Sequence, residues 1–227
     1  MIFGGIQKTS TLDFPGILCC VVFTKGCNMN CFYCHNRALA DNSASTVSEE
    51  EVYSFLNNRK GLLDGVVVSG GEPTLQHDLI KFISDVKDMK YKVKLDTNGL
   101  RPDAVRELLD SELLDYAAVD YKAPSDIYES ICGAPADSVH QTISLLMKSG
   151  VPFEVRTTIY PGMTAEELLT LLSELPYMPC YRLNFFRMPE KYDVKDRQRL
   201  NGKVLRFNDI NNMLDKILSL QPNLCEL

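Results

Sequence analysis

Cys27, Cys31 and Cys34 fall in the stretch GCNMNCFYCHN at residues 26–36, three thiols within eight positions. A structural zinc takes four protein ligands and a disulfide takes two sulfurs, so a tight triplet matches neither. Three thiolates do match an iron–sulfur cluster that leaves one iron without a protein ligand. Ferredoxin-type clusters use four cysteines and shuttle electrons, whereas an iron left open can hold a small molecule by its amino and carboxylate groups. The spacing therefore predicts one cluster with a working vacancy.

Further polar residues gather where ligands bind. Ser69-Gly70-Gly71-Glu72, Asp96-Thr97-Asn98 and Asp120-Tyr121-Lys122 each end a β-branched run, and the cysteine loop follows Phe23. The runs read as strands over 18–23, 65–69, 92–96, 116–120, 153–159 and 181–186, with amphipathic stretches between them. Two of those stretches carry helix-start signals, Ser48 with Glu51 and Thr164 with Glu167. Strand–helix alternation implies parallel strands joined by right-handed crossovers, hence an α/β sheet or a partly closed barrel. In either form the C-terminal strand ends are the ligand-binding edge. Arg156, inside the fifth strand, points toward the same mouth on this reading.

Composition narrows the class. The 227 residues are 45% hydrophobic and 24% charged, an ordinary folded balance with no linker or repeat, so one domain is expected over 1–227. The net charge of −6 argues against bulk nucleic-acid binding. The longest apolar run, Ile17 to Phe23, is far short of a membrane span, and the N-terminus lacks signal-peptide features, so a cytoplasmic protein with reduced thiols is expected. Cys19 and Cys20 read as buried strand residues, and Cys132, Cys180 and Cys225 as isolated. Residues 191–206 carry six basic and two acidic side chains and read as a solvated loop, or else a docking surface.

The C-x3-C-x2-C spacing with Tyr33 before the last cysteine, together with Gly70-Gly71-Glu72-Pro73, resembles the radical S-adenosylmethionine (SAM) enzymes. Within them, GCNMNCFYCHNR with TLDFPG (11–16), LDTNG (95–99), VDYKAP (119–124) and RTTIYPG (156–162) is similar to the activating enzymes of glycyl radical enzymes. GGIQKTSTLDFPG and SGGEPTLQ (69–76) are most similar to activators of anaerobic ribonucleoside-triphosphate reductase. The resemblance runs from about Gly4 to Arg187.

That resemblance implies a radical SAM partial (β/α)6 barrel with its core at about 16–187 and a helical extension at about 188–227. It implies a 4Fe-4S cluster on Cys27, Cys31 and Cys34, with the methionine end of SAM on the fourth iron. Reductive cleavage then yields methionine and a 5'-deoxyadenosyl radical, which takes a hydrogen from a glycine of the partner. The implied partners are anaerobic ribonucleotide reductase and a reduced flavodoxin or ferredoxin-type donor, without nucleic acid or membrane.

Physical reading and carry-over assign the other residues together. Gly70 and Gly71 let backbone approach the ligand, and Glu72 is read as an acceptor for its ammonium, although Gly-Gly-acid also makes ordinary turns. Lys122 and Arg156 suit a carboxylate or ribose oxygens, their alternative being surface ion pairs. Asp96, Thr97 and Asp120 are read as a monovalent-cation site by likeness to formate-lyase activators, with Asn98 beside the cofactor. Tyr33 and His35 flank Cys34 and line the adenine, unless His35 bonds a cluster sulfur or only satisfies the loop. Arg187 keeps the basic end of the last strand, but Asn184-Phe185-Phe186 departs from the Gln-Gln-Phe of reductase activators and leaves the partner open. The alternatives are an activator of pyruvate formate-lyase or another glycyl radical enzyme, a small-molecule enzyme of the deazapurine-nucleoside type, and a zinc module.

Overall fold

The computed structural model describes residues 1–226 as an α/β protein with eight strands in chain order. They are β1 Phe3–Ser10, β2 Cys19–Thr24, β3 Gly65–Gly70, β4 Lys92–Thr97, β5 Tyr116–Asp120, β6 Phe153–Ile159, β7 Tyr181–Phe185 and β8 Leu224–Glu226. Internal contacts group the chain into two compact units. The first holds Met1–Asn28, Ala38–Ala118 and Ser138–Pro152, and the second Met29–Arg37, Val119–Asp137 and the chain from Phe153 onward.

In the first unit β2, β3 and β4 are parallel, paired from Cys19 with Gly65 to Thr24 with Gly70, and from Gly65 with Lys92 to Val68 with Leu95. Runs such as CCVVF and GVVVS suit such strands because both faces are covered, and Val66, Val67 and Val68 have no exposed surface. Cys19 packs with Phe14, Val21 and Val67. Burial pushes the thiols of Cys19 and Cys20 up to about 11 and about 12, as befits structural cysteines. The helix Glu49–Asn58 starts where Ser48 accepts the amide of Glu51, and three acidic residues in its first turn complement its dipole.

In the second unit β7 lies between β6 and β8, parallel to both. Thr164 and Glu167 close a full capping box on the helix Ala165–Ser173. The short helix Tyr128–Cys132 stops at Gly133, whose φ of +76° is left-handed. Cys180 and Cys225 form a disulfide with Cα atoms 5.7 Å apart. They are therefore not isolated, which corrects the sequence expectation.

All six expected strands are present within a residue of their predicted ends, and two further strands join them. β1 runs antiparallel to β2 with a bulged register. Its sequence, FGGIQKTS, has two glycines and no buried alternation, so no periodicity marks it. The expected helical extension contains the helices Arg197–Leu200, Phe207–Asn211 and Leu214–Leu220, and also β8; its last residue, Leu227, lies outside the described residues. The six basic side chains of the 191–206 stretch are exposed, as the solvated reading has them, while Asp196 and Leu200 are buried.

Candidate functional site

In the first unit the loop after β3 lies against the loop after β2. Gly71 and Glu72 donate their amides to the carbonyls of Thr24 and Gly26, at 2.9 and 2.8 Å. A Cβ on Gly70 would sit 2.3 Å from the nitrogen of Thr24, and one on Gly71 2.1 Å from the oxygen of Gly26. The glycines thus admit the protein's own backbone, and with φ +123° Gly70 also needs their conformational freedom.

That approach turns the Glu72 side chain inward, where it is fully buried. Its Oε1 accepts from the amide and hydroxyl of Thr74 at 3.1 and 2.6 Å and from the Thr97 hydroxyl at 2.7 Å. Its Oε2 accepts from the Asn98 amide at 2.7 Å. Burial raises the carboxyl pKa, opposed by these donors. The carboxylate is engaged inside the chain, where sequence reading had it meet an ammonium group. The Asn98 side chain in turn gives its amide to Asn28 Oδ1 at 2.8 Å and to Cys27 Sγ at 3.7 Å. A path therefore runs from Glu72 through Asn98 to the first cysteine, which sequence spacing does not signal.

Of the residues read as a cation site, Asp96 and Thr97 lie in the first unit and Asp120 in the second. The ammonium of Lys94, 1% exposed, lies 2.6 Å from Asp96 Oδ1, and the Thr97 hydroxyl donates to Glu72 and accepts from Gly99. In the second unit Asp120 is paired with Lys122 at 2.9 Å and with Arg156 Nε at 3.0 Å. The chain's own cations thus stand beside both acids. Among the described residues no three His, Cys, Asp or Glu side chains are grouped to hold a single metal ion, so the three cysteines are read as ligands of separate irons in a cluster.

The second unit carries Cys31, Tyr33, Cys34, His35, Asp120, Lys122, Arg156 and Arg187. Burial would push Asp120 up, but Lys122 and Arg156 hold its carboxyl well below the usual range. Burial would likewise lower Lys122, yet Asp120 and the thiols of Cys31 and Cys132 raise it. Arg156 also faces Glu154 at 3.9 Å, and Arg182 reaches Glu154 at 3.3 Å. Lys122, Arg156 and Arg182 thus stand around Asp120 and Glu154, cations of the kind that bind a ligand's carboxylate.

Cys132 is the residue that sequence reading missed. Its carbonyl accepts the Asn30 amide at 2.7 Å, and its thiol is near enough to Cys31 to lower the pKa of Cys31 while its own rises. Burial raises Cys34. Tyr33 is buried, stacked on Tyr160 with centroids 5.3 Å apart and edge-on to Phe32, and its hydroxyl has no hydrogen-bond partner. His35 and Arg187 are exposed. The donor set, unoxidised thiols at Cys27, Cys31 and Cys34 with the Asn98 amide donating to Cys27 and an unsatisfied buried hydroxyl on Tyr33, fits the chemistry of an iron–sulfur cluster.

Comparison with known proteins agrees with this chemistry. The radical SAM superfamily model matches residues 21–175. A Methanocaldococcus jannaschii protein named as a glycyl-radical enzyme activating enzyme is 32% identical over 96% of this chain and 93% of its own length. The pyruvate formate-lyase 1-activating enzyme of Escherichia coli is 30% identical over 71% of this chain and 68% of its own. The crystal structure of Streptococcus suis SuiB superposes with a TM-score of 0.63 at 18% identity, covering 91% of this chain and 48% of that one. This chain spans about half the length of that structure, and the likeness is one of fold.

Proposed function

This chain belongs to the radical SAM superfamily and, within it, to the glycyl-radical enzyme activating enzymes, and from that premise we propose that its target is anaerobic ribonucleoside-triphosphate reductase. It is an enzyme that uses a 4Fe-4S cluster and SAM. What supports the reductase as target is the likeness of GGIQKTSTLDFPG and SGGEPTLQ to reductase activators. The cluster and SAM supply the reductive cleavage that generates the radical.

The residues divide the remaining work. Cys27, Cys31 and Cys34 hold the cluster. Lys122 and Arg156 hold the carboxylate of SAM, and the observation that carries this role is their cationic set around Asp120 beside the Cys31 thiol. Gly70, Gly71 and Glu72 shape the loop against β2, and Glu72 fixes Asn98, which donates to Cys27. Asp96 and Thr97 complete the buried support around Lys94 and Glu72. Tyr33 and His35 border the adenine, and Arg187, exposed just past β7, meets the incoming peptide. A cytoplasmic site of action and a flavodoxin or ferredoxin-type donor complete the proposal. The match to the E. coli enzyme favours pyruvate formate-lyase as the second reading of the target.

Anaerobic reconstitution with iron and sulfide, then assay for 5'-deoxyadenosine with SAM and reductant, tests the chemistry. Cys31→Ala is expected to abolish both cluster and product, and retention of either overturns the ligand assignment.

A further inference from the structure

The basic stretch near the C-terminus is bound to the cysteine loop of its own unit. Arg37, just past Cys34, donates to Asn30 Oδ1 at 2.6 Å and faces Asp193 at 3.6 Å and buried Asp196 at 3.9 Å. Arg199 places its guanidinium carbon 3.9 Å from the ring centroid of Phe32, the residue between Cys31 and Tyr33, and a nitrogen 3.5 Å from the Ser130 carbonyl. Phe32 is 4% exposed and is wedged edge-on against Tyr33 and Tyr160, so its ring has a fixed face to offer. Two further contacts anchor the segment. Leu200 is buried, and the Lys203 carbonyl accepts the Gly162 amide at 2.7 Å. At Gly202 a Cβ would fall 2.9 Å from the Arg199 carbonyl, so the turn after Arg199 is tight.

Cation–π contacts are strongest when desolvated, and an arginine plane suits an aromatic face better than lysine does. Asp193 is half exposed, so its pair with Arg37 is screened and adds little, whereas Asp196 is buried; Arg199 is itself exposed, so its contact with the buried Phe32 ring is of the weaker, solvent-reached kind. We propose that residues 193–203 form a clasp on the loop bearing Cys31 and Cys34, with Arg199 and Arg37 as positioning residues that keep those thiols in place and slow release of the cluster. The clasp rests on the reading of Cys31 and Cys34 as cluster ligands. It gives the C-terminal extension a part in cluster retention.

The test uses the full chain, reconstituted anaerobically, with cluster release into excess iron chelator followed by visible absorbance at a temperature where every apoprotein is folded. Arg199→Ala is expected to speed release about two- to fivefold, the ratio that corresponds to about 0.5–1 kcal/mol. Arg199→Lys should fall between it and the parent. Phe32→Leu should speed release similarly, and adding Arg199→Ala to Phe32→Leu should change it no further, since the shared contact is already gone. Parental release rates in Arg199→Ala, or independent multiplication of the two effects, overturn the clasp. Should Phe32→Leu fail to fold, Asp196→Asn takes its place with Arg37→Gln as the paired change, under the same non-additivity criterion. Cys31→Ala is the separate control: a full cluster in that variant would refute the ligand assignment.

Discussion

In the first unit the carboxylate of Glu72 is closed off from solvent and satisfied by neutral amides and hydroxyls, while in the second the carboxylate of Asp120 keeps 31% of its side chain exposed between two cations. The first arrangement fixes backbone. Each oxygen of Glu72 has a defined donor, the loops after β3 and β4 are tied together by it, and no charge is left to offer a ligand. The second arrangement holds its carboxylates by charge, with Lys122 and Arg156 on Asp120 and Arg182 on Glu154. Motifs that look equally polar in sequence thus differ in kind: one ties Asn98, a donor to the first cysteine, to a neutral-donor network, and the other sets a carboxylate between cations.

The largest effect that would break this contrast is on stability. Glu72→Ala leaves the amide of Asn98 and two donors of Thr74 without their buried acceptor, and should lower unfolding free energy by about 3 kcal/mol or more in urea titration. Asp120→Ala, at a partly exposed site, should cost clearly less in the same titration. Equal costs would erase the distinction. Next comes ligand affinity. Arg156→Ala should weaken SAM binding by roughly 10- to 100-fold in anaerobic calorimetry, equivalent to about 1.4–2.8 kcal/mol, with Lys122→Ala similar.

The pH dependence has opposite signs in the two units. The folded pKa of Asp120 lies below its unfolded value, so its pairing stabilises the fold above the ordinary carboxylate range, about pH 4, and that contribution is lost as pH falls. The folded pKa of Glu72 is raised, so its contribution is present at low pH and lost as pH rises through that raised value. Asp120→Asn should therefore flatten the acid limb of a stability–pH curve. An unchanged limb would mean that Asp120 is not held by its cations. The smallest expected effect is that of Asn98→Ala, which keeps the backbone bond to Glu72 but removes the donor to Cys27. It should shift the cluster midpoint potential downward in a redox titration and, since the bonds to Asn28 and Leu100 go with it, lower unfolding free energy by only about 1 kcal/mol.

How much was legible in sequence follows from the range of the interactions. Val66–Val68 and the other apolar runs announce β2–β7 because burial on both faces demands continuous hydrophobicity, and the strand-end residues follow from them. Edge strand β1 and three-residue β8 demand no such pattern. The triplet is legible because its ligands are near in sequence. Glu72 is legible as a motif, but its inward turn depends on how closely Gly71 meets Gly26. Lys94 beside Asp96 is legible in spacing alone, since strand alternation puts both on one face. Cys132 beside Cys31, and Arg199 on Phe32, join segments distant in the chain, and no local pattern marks either.

The central claim is tested most directly by electron paramagnetic resonance of candidate targets after anaerobic incubation with the reconstituted enzyme, SAM and a reductant. A glycyl doublet on anaerobic ribonucleoside-triphosphate reductase, absent when Cys31→Ala replaces the parent, is the predicted result. A doublet on pyruvate formate-lyase and none on the reductase would contradict it.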